Sequence, residues 1–531
     1  MKKLTDLQYL KLNWFQKLGY NLAKFFTSIP KWIAKLGVAI WNLIKKFAIG
    51  VKDDVVDTFR TFKRGNWAIK LSFLIMGMGN LANGQILRGI LFLLFEIVFF
   101  VYMFVPSGGI HWISKCQFFT RGTVGTEQGH TDFHPIYDTE YWVPGDDSTK
   151  VLLYGLISIA FILAFIYTWH LQIKQCSTIV QIKANGGKLK GTKDDLRSML
   201  DEEFHKTLLA LPVVGITMFT VLPIIFMILI AFTSFDVNAD GYSNLFSWVG
   251  WDNFNKVLDT GVGGLGLVFG ELLSWTLIWS ICATFTNYFL GMAVAMLINK
   301  KGIKIKKFWR TVLVMTIAIP QFVSLMYVAR LFDATGTPDT ATGGLIGKFL
   351  LQHGFIPESM WNVKMGGTGA SLWSNPTTAR ILVIVINIWI GIPYVMLMAT
   401  GILMNIPADL YESAKIDGAN PWQQFTRITL PYMLFVTGPS LLTSFVGNLN
   451  NFNVIYLLTG GNPLKTDAGA VPGSVGETDL LITWLFKITT GSTSDYKMAS
   501  VVGILIFVVV AVLSLIVYNV MPSNRNEEDF R

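Results

Sequence analysis

Long apolar runs alternate with polar stretches along most of the chain. A helix that spans a membrane needs about 20 consecutive, predominantly apolar residues. We predict a spanning helix for each of eight runs, at residues 86–106, 151–173, 208–233, 270–299, 310–332, 378–404, 433–458 and 498–520. The pattern therefore predicts an all-α polytopic membrane protein with about eight transmembrane helices.

The N-terminal part of the chain has a different pattern. Residues 1–66 mix lysines with Trp, Phe and Leu at helical spacing, which is typical of amphipathic helices on an anionic membrane surface. A poorly ordered basic tail is the alternative. Residues 67–84 are apolar but interrupted by glycines and asparagines, so we predict a re-entrant or interfacial segment there and not a span.

Composition and charge agree with a membrane protein. Of the 531 residues, 52% are hydrophobic and 15% are charged, whereas soluble domains have about a quarter of charged residues. The net charge of +9 could indicate an acidic partner such as a nucleic acid. With eight spans, however, the basic segments 1–66, 174–206 and 300–307 fall on one side and the acidic loops 107–149 and 234–268 on the other. Basic loops stay in the cytoplasm, so we expect both termini there and no nucleic-acid partner.

Motifs for nucleotide or metal chemistry do not occur in the sequence. It contains no GxxxxGK[ST] phosphate-binding loop, and its six histidines lack clear ligand spacing. We therefore expect no cofactor on this chain, with any ATP and Mg²⁺ bound by a partner ATPase. The predicted topology separates the three cysteines, so we expect no intramolecular disulfide. The first stretch lacks a clean apolar core and a small-residue cleavage site, so we expect no signal peptide.

One polar loop, Tyr411–Pro431, has the sequence YESAKIDGANPWQQFTRITLP and lies between two predicted spans. We predict a first helix from Leu410 to Asp417 that ends at Gly418 in a left-handed C-cap. Asn420 can cap a second helix, with Pro421 at its first position and Gln423 reaching back. The pattern predicts two helices around a sharp turn, more rigid than a connection needs.

This loop resembles the EAA loop of the membrane subunits of ABC importers. The matching residues are Glu412, Ser413, Ala414, Asp417, Gly418, Ala419, Phe425, Ile428, Leu430 and Pro431, with Ser413 in place of the family's Ala. The resemblance implies that the loop is a coupling helix docked in a cleft of a cytoplasmic ATPase. The residues implied at that contact are Glu412, Ser413, Ala414, Asp417, Gly418 and Ala419, and we expect the Glu412 carboxylate to pair with a basic residue. An ordinary capped loop is the alternative.

The two predicted spans beside this loop each have an uncharged polar face. One face contains Asn387, Ile390, Gly391 and Tyr394, and the other contains Ser444, Gly447, Asn448 and Asn451, both at i, i+3, i+4 and i+7. Amide and hydroxyl groups in hydrocarbon need partners, so these faces are expected to point into the bundle or a watery cavity. They suit a neutral, hydroxyl-rich ligand. Contact between helices is the alternative, since small residues and Asn often lie between membrane helices.

The segments NIWIGIPYVMLMATGILMNIPADLYESAKIDGA and SFVGNLNNFNVIYLLTGGNP resemble the MalF-type permease subunit of maltose and maltodextrin importers. The similarity extends through TDLLITWLFKI at 478–488 to the last helix. It implies that the sugar contacts are Asn387, Ile390, Gly391, Tyr394, Ser444, Gly447, Asn448 and Asn451. The maltose subunit has an aromatic residue where this chain has Gly447, which leaves the identity or the size of the sugar open. The outer loop at 234–268 is short where outer-membrane bacteria have a folded domain, so the permeases of single-membrane bacteria are more similar.

The resemblance also implies a domain organisation and a set of partners. We expect a basic N-terminal region at 1–66, an interfacial segment and two accessory helices at 67–206, a six-helix core at 207–521 with the coupling loop at 405–431, and a cytoplasmic tail at 522–531. The implied partners are a MalG-like second permease, two MalK-like ATPases, an extracellular sugar-binding lipoprotein, the oligosaccharide and membrane lipid.

Three alternatives for the function stay open at this point. The same type of importer could transport another oligosaccharide, a polyol or glycerol phosphate. A phosphate, however, would require basic residues, which the two polar faces of the spans lack. An ion-coupled secondary transporter would need acidic groups within the membrane, for which Glu96 and Glu271 are the candidates. A membrane scaffold without transport activity is the third.

Overall fold

The structure, a computed structural model, describes residues 52–520 apart from positions 119, 121, 135–138, 188, 190, 202–203, 237–244, 262–263, 301, 336–341, 356–371, 466–472 and 492–493, and also describes residues 38, 41–42, 45–46 and 49–50. Most of the predicted amphipathic region and all of the predicted tail lie outside the described residues. Within the described part, the chain forms two compact units, one ending at Trp251 and the other beginning at Asp252. The predicted domain boundaries stay a prediction.

The first unit is helical except for one hairpin. Its helices are α1 (Trp67–Leu71), α2 (Met78–Leu81), α3 (Ile86–Phe104), α4 (Gly109–Cys116), α5 (Ser148–Ala184), α6 (Thr192–Leu200), α7 (Phe204–Ile216) and α8 (Leu222–Ile230), with a π-helical turn at Thr217–Val221 joining the last two. An antiparallel hairpin, β1 (His130–His134) and β2 (Thr139–Val143), lies between α4 and α5. This hairpin is not part of the all-α prediction.

The second unit contains the remaining elements. Its helices are α9 (Asp252–Leu258), α10 (Gly266–Asn299), α11 (Lys306–Ala318), α12 (Gln321–Phe332), α13 (Leu345–Gln352), α14 (Pro376–Leu403), α15 (Ala408–Ile416), α16 (Pro421–Gln424), α17 (Leu430–Leu449), α18 (Phe452–Leu458), α19 (Leu481–Thr490) and α20 (Tyr496–Val520). A π-helical turn at Phe425–Thr429 joins α16 to α17, and a two-residue hairpin, β3 (Ala334–Thr335) and β4 (Thr342–Gly343), follows α12.

Within the described residues, seven helices are long and apolar enough to cross a membrane, and one bent pair could form an eighth span. This agrees with the predicted all-α membrane fold. Residues 67–84 form only the short helices α1 and α2, as their broken pattern predicts. The buried Glu96 carboxylate of α3 accepts a hydrogen bond from the Met76 N–H at 2.7 Å and so satisfies part of this non-helical backbone.

Two predicted spans are interrupted. The span predicted at 310–332 consists of α11 and α12, which meet at an angle of 95°. Pro320 has no N–H and disfavours helical backbone at the preceding residue, and Ile319 accordingly has an extended conformation with φ −82° and ψ 129°. The span predicted at 433–458 ends at Leu449, because Asn451 caps the separate helix α18. By contrast, α14 continues through Pro393 to Leu403.

Helices α10 and α14 form the centre of the second unit. Two close contacts show that they run parallel: Gly291 of α10 faces the Val395 side chain, and Gly391 of α14 faces the Asn287 side chain. The core around them includes the fully buried residues Trp279, Leu325 and Val383. Replacing such a buried Trp by Ala typically costs about 3–5 kcal/mol. This packing holds the predicted polar faces in place.

The orientation in the membrane can be tested with single cysteines at two exposed positions, Asp252 and Lys304. We expect Asp252→Cys to react with an impermeant thiol reagent in intact cells, and Lys304→Cys to react only after lysis, because the basic loop around Lys304 is predicted to be cytoplasmic. Labelling of Lys304→Cys in intact cells would contradict the predicted topology. The native Cys116 should add little background, since burial raises the pKa of its thiol to about 12 and the thiolate is the reactive form.

Candidate functional site

The predicted coupling loop has the capped geometry that its sequence indicates. Helix α15 ends before Gly418, which has a positive φ of 77°. The Ala419 N–H donates to the Ala414 carbonyl oxygen at 2.8 Å, closing the C-terminus of the helix. The Asn420 side chain accepts from the Gln423 N–H at 2.8 Å, and the Gln423 side chain accepts from the Asn420 N–H at 2.9 Å. This reciprocal capping box is confirmed.

The second arm of the loop begins at Pro421 as predicted, and the prediction gave no end for it. Helix α16 does not stop within the loop: it continues through the π-helical turn into α17, so that residues Pro421–Leu449 form one span-length helix. The Tyr411 hydroxyl lies 2.8 Å from the Thr429 hydroxyl and links the first arm to this helix. A force applied to α15 would therefore reach a membrane helix directly.

The loop presents both charged and apolar groups to the surroundings. Glu412, Ser413, Asp417 and Gly418 are exposed, and Ala414 and Ala419 are half-buried. Beside them, Ile416 and Trp422 are 86% and 70% exposed, respectively. Exposed apolar side chains beside charged ones on a rigid turn are available for contact with another protein. The sequence interpretation concentrated on the motif residues and missed this pair, although their polar surroundings were a visible signal.

The predicted face of α14 is partly buried and partly open. Asn387 is buried, and its Nδ2 has no hydrogen-bond partner within the described residues. Ile390 and Gly391 are half-buried, whereas Tyr394 is 53% exposed. Ile390 and Tyr394 line a small cavity of about 20 Å³ together with residues of α11 and α12. This face thus combines an unsatisfied buried amide with an accessible aromatic ring.

The predicted face of α17 is shorter than expected. Ser444 and Gly447 are exposed, and nothing lies within 4 Å of a Cβ added at Gly447. Asn448 donates through its Nδ2 to the Thr284 hydroxyl at 3.0 Å. Asn451 lies beyond the end of the helix, so the prediction that it shares one helical face with the others is wrong. It caps α18 through the Val454 N–H at 3.3 Å and donates to the Asn448 Oδ1 at 3.2 Å.

Helix α10 contributes two polar residues that the sequence interpretation missed. Thr284 joins the Asn448–Asn451 pair, as described above. The Asn287 Oδ1 is buried without a hydrogen-bond partner among the described residues, and a Cβ on Gly391 would lie 2.3 Å from the Asn287 Nδ2. The glycine therefore makes room for this amide. Thr284 and Asn287 are three residues apart and share one helical face, which was the available signal.

The cavity is lined by neutral side chains, and two ion pairs of the second unit involve residues that do not line it. Arg380 binds the Glu477 carboxylate at 2.9 Å and lies over the Trp275 ring. Asp479 is fully buried and binds the Lys487 ammonium at 2.7 Å. Burial raises the pKa of Asp479, although Lys487 opposes the change. The cavity is thus suited to an uncharged ligand, while ion pairs brace the neighbouring loops.

Similarity to known proteins identifies the family of this chain. Residues 287–525 match the family described as binding-protein-dependent transport system inner membrane component. The chain is 30% identical over 449 residues to the maltodextrin transport system permease protein MalC of Streptococcus pneumoniae serotype 4, covering 84% of this chain and 93% of the relative. The chain belongs to this family of permeases. It is an import permease subunit of the ABC class, as the EAA-loop resemblance implies.

Two further relatives bear on the type of permease. The galactooligosaccharides transport system permease protein GanP of Bacillus subtilis is 30% identical over 455 residues, which cover 86% of this permease and 97% of the relative. The maltose/maltodextrin transport system permease protein MalF of Escherichia coli K12 is 33% identical over 269 residues, which cover 50% of this permease and 48% of the relative. The predicted MalF-type resemblance is confirmed.

The family assignment removes the secondary-transporter and scaffold alternatives. The two acidic residues considered for ion coupling also have partners within the chain. Glu96 accepts the Met76 N–H, and Glu271 forms an ion pair with Lys465. In this permease they are explained by local structure without a coupling role.

Proposed function

We propose that the permease transports maltodextrin-like oligosaccharides across the cytoplasmic membrane and that its sugar site lies on the facing polar residues of α10, α14 and α17. The observation that carries the proposal is the uncharged polar set on these helices, in which the amides of Asn287 and Asn387 each have one unsatisfied atom and the ring of Tyr394 is exposed. Buried polar groups normally have partners, so these amides favour a ligand with hydroxyl groups.

A second class of oligosaccharide is almost equally well supported as the transported sugar. The relatives that support the proposal are named for maltodextrin and for galactooligosaccharides, and they have the same identity of 30% to this permease. Both cargoes are neutral chains of hydroxyl-rich rings, and both fit a site of amides and an aromatic face. A galactooligosaccharide is therefore the second candidate.

The remaining partners follow from the same proposal. A second, MalG-like permease completes the pathway, and two MalK-like ATPases bind ATP and Mg²⁺ and dock on the coupling loops. An extracellular sugar-binding lipoprotein delivers the cargo. The exposed Ile416 and Trp422 beside Glu412 support the docking step, since they offer an apolar contact next to a charged one. Both termini are expected in the cytoplasm.

The cargo is tested with the complete transporter, purified through a tag on this permease and placed in liposomes with its binding protein. We expect ATP-dependent uptake of maltooligosaccharides, and weaker or no uptake of galactooligosaccharides of equal length. The reverse preference would favour the second candidate. Uptake of neither series, by a complex that hydrolyses ATP, would reject an oligosaccharide cargo of these two kinds.

Gly447→Phe tests whether the open space at this position serves longer sugars. Nothing lies within 4 Å of a Cβ added at Gly447, so a side chain can leave the backbone there without an immediate contact. We expect uptake of long oligosaccharides to fall more than uptake of the shortest one, because the ring occupies space that only the longer chain needs. Equal loss at all lengths would argue against this role. Gly401→Phe is a matched control. A Cβ added at Gly401 also has nothing within 4 Å, and Gly401 lies on a different helix, α14.

A further inference from the structure

Helix α10 is distant from the coupling loop in sequence, yet hydrogen bonds join it to both helices that continue from the loop. Helix α14 leads into the first arm of the loop, α15, and the second arm, α16, continues into α17. One hydrogen bond connects α10 to α14, and another connects α10 to α17. Each arm of the coupling loop is thus joined to α10 by a side-chain contact.

The first of these hydrogen bonds lies at the last residue of α10. The Asn299 Nδ2 donates to the Thr400 hydroxyl of α14 at 3.2 Å and to the Ala295 carbonyl oxygen at 2.8 Å. Arg310 of α11 donates to the Asn299 Oδ1, and Lys306 donates to the Asn299 carbonyl oxygen at 3.1 Å. These contacts fix the orientation of the Asn299 side chain. Asn299 therefore holds the end of α10 against α14, close to the point where α14 leads into α15.

The second hydrogen bond is buried between α10 and α17. The Tyr288 and Thr437 residues are each 1% exposed, and their hydroxyl oxygens lie 2.9 Å apart. The Thr437 hydroxyl donates to the Met433 carbonyl oxygen at 2.6 Å, so the Tyr288 hydroxyl is the donor in this pair. Because a buried hydroxyl that loses its partner is destabilising, the pair keeps α10 and α17 aligned.

Helix α10 also contributes to the proposed sugar site. Thr284 accepts a hydrogen bond from Asn448 of α17, and Asn287 lies against Gly391 of α14. Thr284 and Tyr288 are four residues apart and lie on one face of α10. A movement of α10 that follows Tyr288 would therefore move Thr284 and Asn287 as well.

We propose that α10 transmits movement of the coupling loop to the sugar site, with Asn299 and Tyr288 as its positioning residues. An ATPase that moves both arms of the loop moves α10 through these two hydrogen bonds, and α10 then displaces its own polar residues at the site. The drive by an ATPase and the position of the sugar rest on the proposed function, whereas the two hydrogen bonds are features of the fold. Neither residue needs to touch the sugar.

The test is the double variant Tyr288→Phe/Thr400→Val in the complete transporter in liposomes. Each substitution removes one hydroxyl and keeps the shape of the side chain. We expect ATP hydrolysis to continue and the number of sugar molecules imported per ATP to fall about tenfold, since two buried hydrogen bonds are lost. The matched control is Tyr327→Phe/Thr286→Val, which should leave this ratio unchanged. Tyr327 is 71% exposed, and the Thr286 hydroxyl donates to the Cys282 carbonyl oxygen within α10.

Single variants separate a positioning role from a purely structural one. Tyr288→Phe and Thr400→Val alone should each lower the ratio about threefold, which provides the same test if the double variant does not assemble. Thr400→Ser retains the hydroxyl and should preserve the wild-type ratio. Less assembled complex with a normal ratio of sugar to ATP overturns the role of α10 and leaves the proposed cargo intact. If the wild-type complex imports neither sugar series, the proposed function fails and the role of α10 fails with it.

Discussion

Gly418→Pro is expected to abolish sugar transport while the complex still binds its external partner. Gly418 has φ of 77°, whereas proline is restricted to about −65°. The substitution also removes the N–H that donates to the Lys415 carbonyl oxygen at 3.1 Å. The turn between α15 and α16 would then open, and ATP hydrolysis would be uncoupled from transport or the ATPase would detach. We expect transport to fall by at least about tenfold, since even alanine in the left-handed region costs about 1–2 kcal/mol.

The matched control is Gly302→Pro, which places the same restriction on a glycine with φ of 97° in the loop before α11. We expect the ATPase to remain attached and coupled in that variant. Glu412→Ala is the milder change in the coupling loop and should weaken ATPase attachment, while Asp409→Ala on the same helix should have a smaller effect. Normal transport by both Gly418→Pro and Glu412→Ala would exclude this loop as the point where the ATPase acts.

Tyr394→Ala is expected to lower sugar uptake about tenfold without reducing the amount of assembled complex. The ring is 53% exposed and lines the cavity, so the chain loses little of its own packing when the ring is removed. The ligand loses an aromatic face and a hydrogen bond, and about 1.4 kcal/mol corresponds to a factor of ten. Uptake per assembled complex is the measurement, and Tyr327→Ala is the control, since that ring is 71% exposed in α12 and does not line the cavity.

Asn448→Ala should behave differently, because Asn448 holds helices together as well as facing the proposed site. Its loss strands the Thr284 hydroxyl and the Asn451 amide, at about 1–3 kcal/mol for a buried unsatisfied group. We expect both less assembled complex and less uptake per complex. If all three of Tyr394→Ala, Asn448→Ala and Asn451→Ala transport normally per complex, the polar faces only join helices and the sugar binds elsewhere.

Local interactions explain why the coupling loop was predictable from sequence. The capping box joins Asn420 to Gln423, and the turn depends on one glycine, so short-range chemistry determines both. The spans were likewise visible as apolar runs. The bend at Pro320 and the helix end before Asn451 had local signals too, but an apolar run long enough to cross the membrane concealed them.

The candidate site was less predictable because it depends on contacts between helices distant in sequence. Asn287 is an ordinary helix residue until α14 brings Gly391 against it. Thr284 acquires its role only when α17 brings Asn448 within 3.0 Å. The small cavity lined by Ile390 and Tyr394 depends both on the bend between α11 and α12 and on the position of α14. The spacing of residues along one helix predicts a polar face. It does not predict which residues of another helix pack against that face, because this depends on the folded chain.

The two glycine contacts between α10 and α14 have a consequence for how these helices can move. Gly291 receives Val395 and Gly391 receives Asn287, at the same offset along both helices. Each side chain thus fits a notch in the opposite helix. A slide of one or two residues would bring side chains against positions without a notch, whereas rotation of the pair as one body leaves both contacts intact. The two helices should therefore move together as one rigid body. The large displacements of a transport cycle should occur at other positions, of which the bend at Pro320 is one.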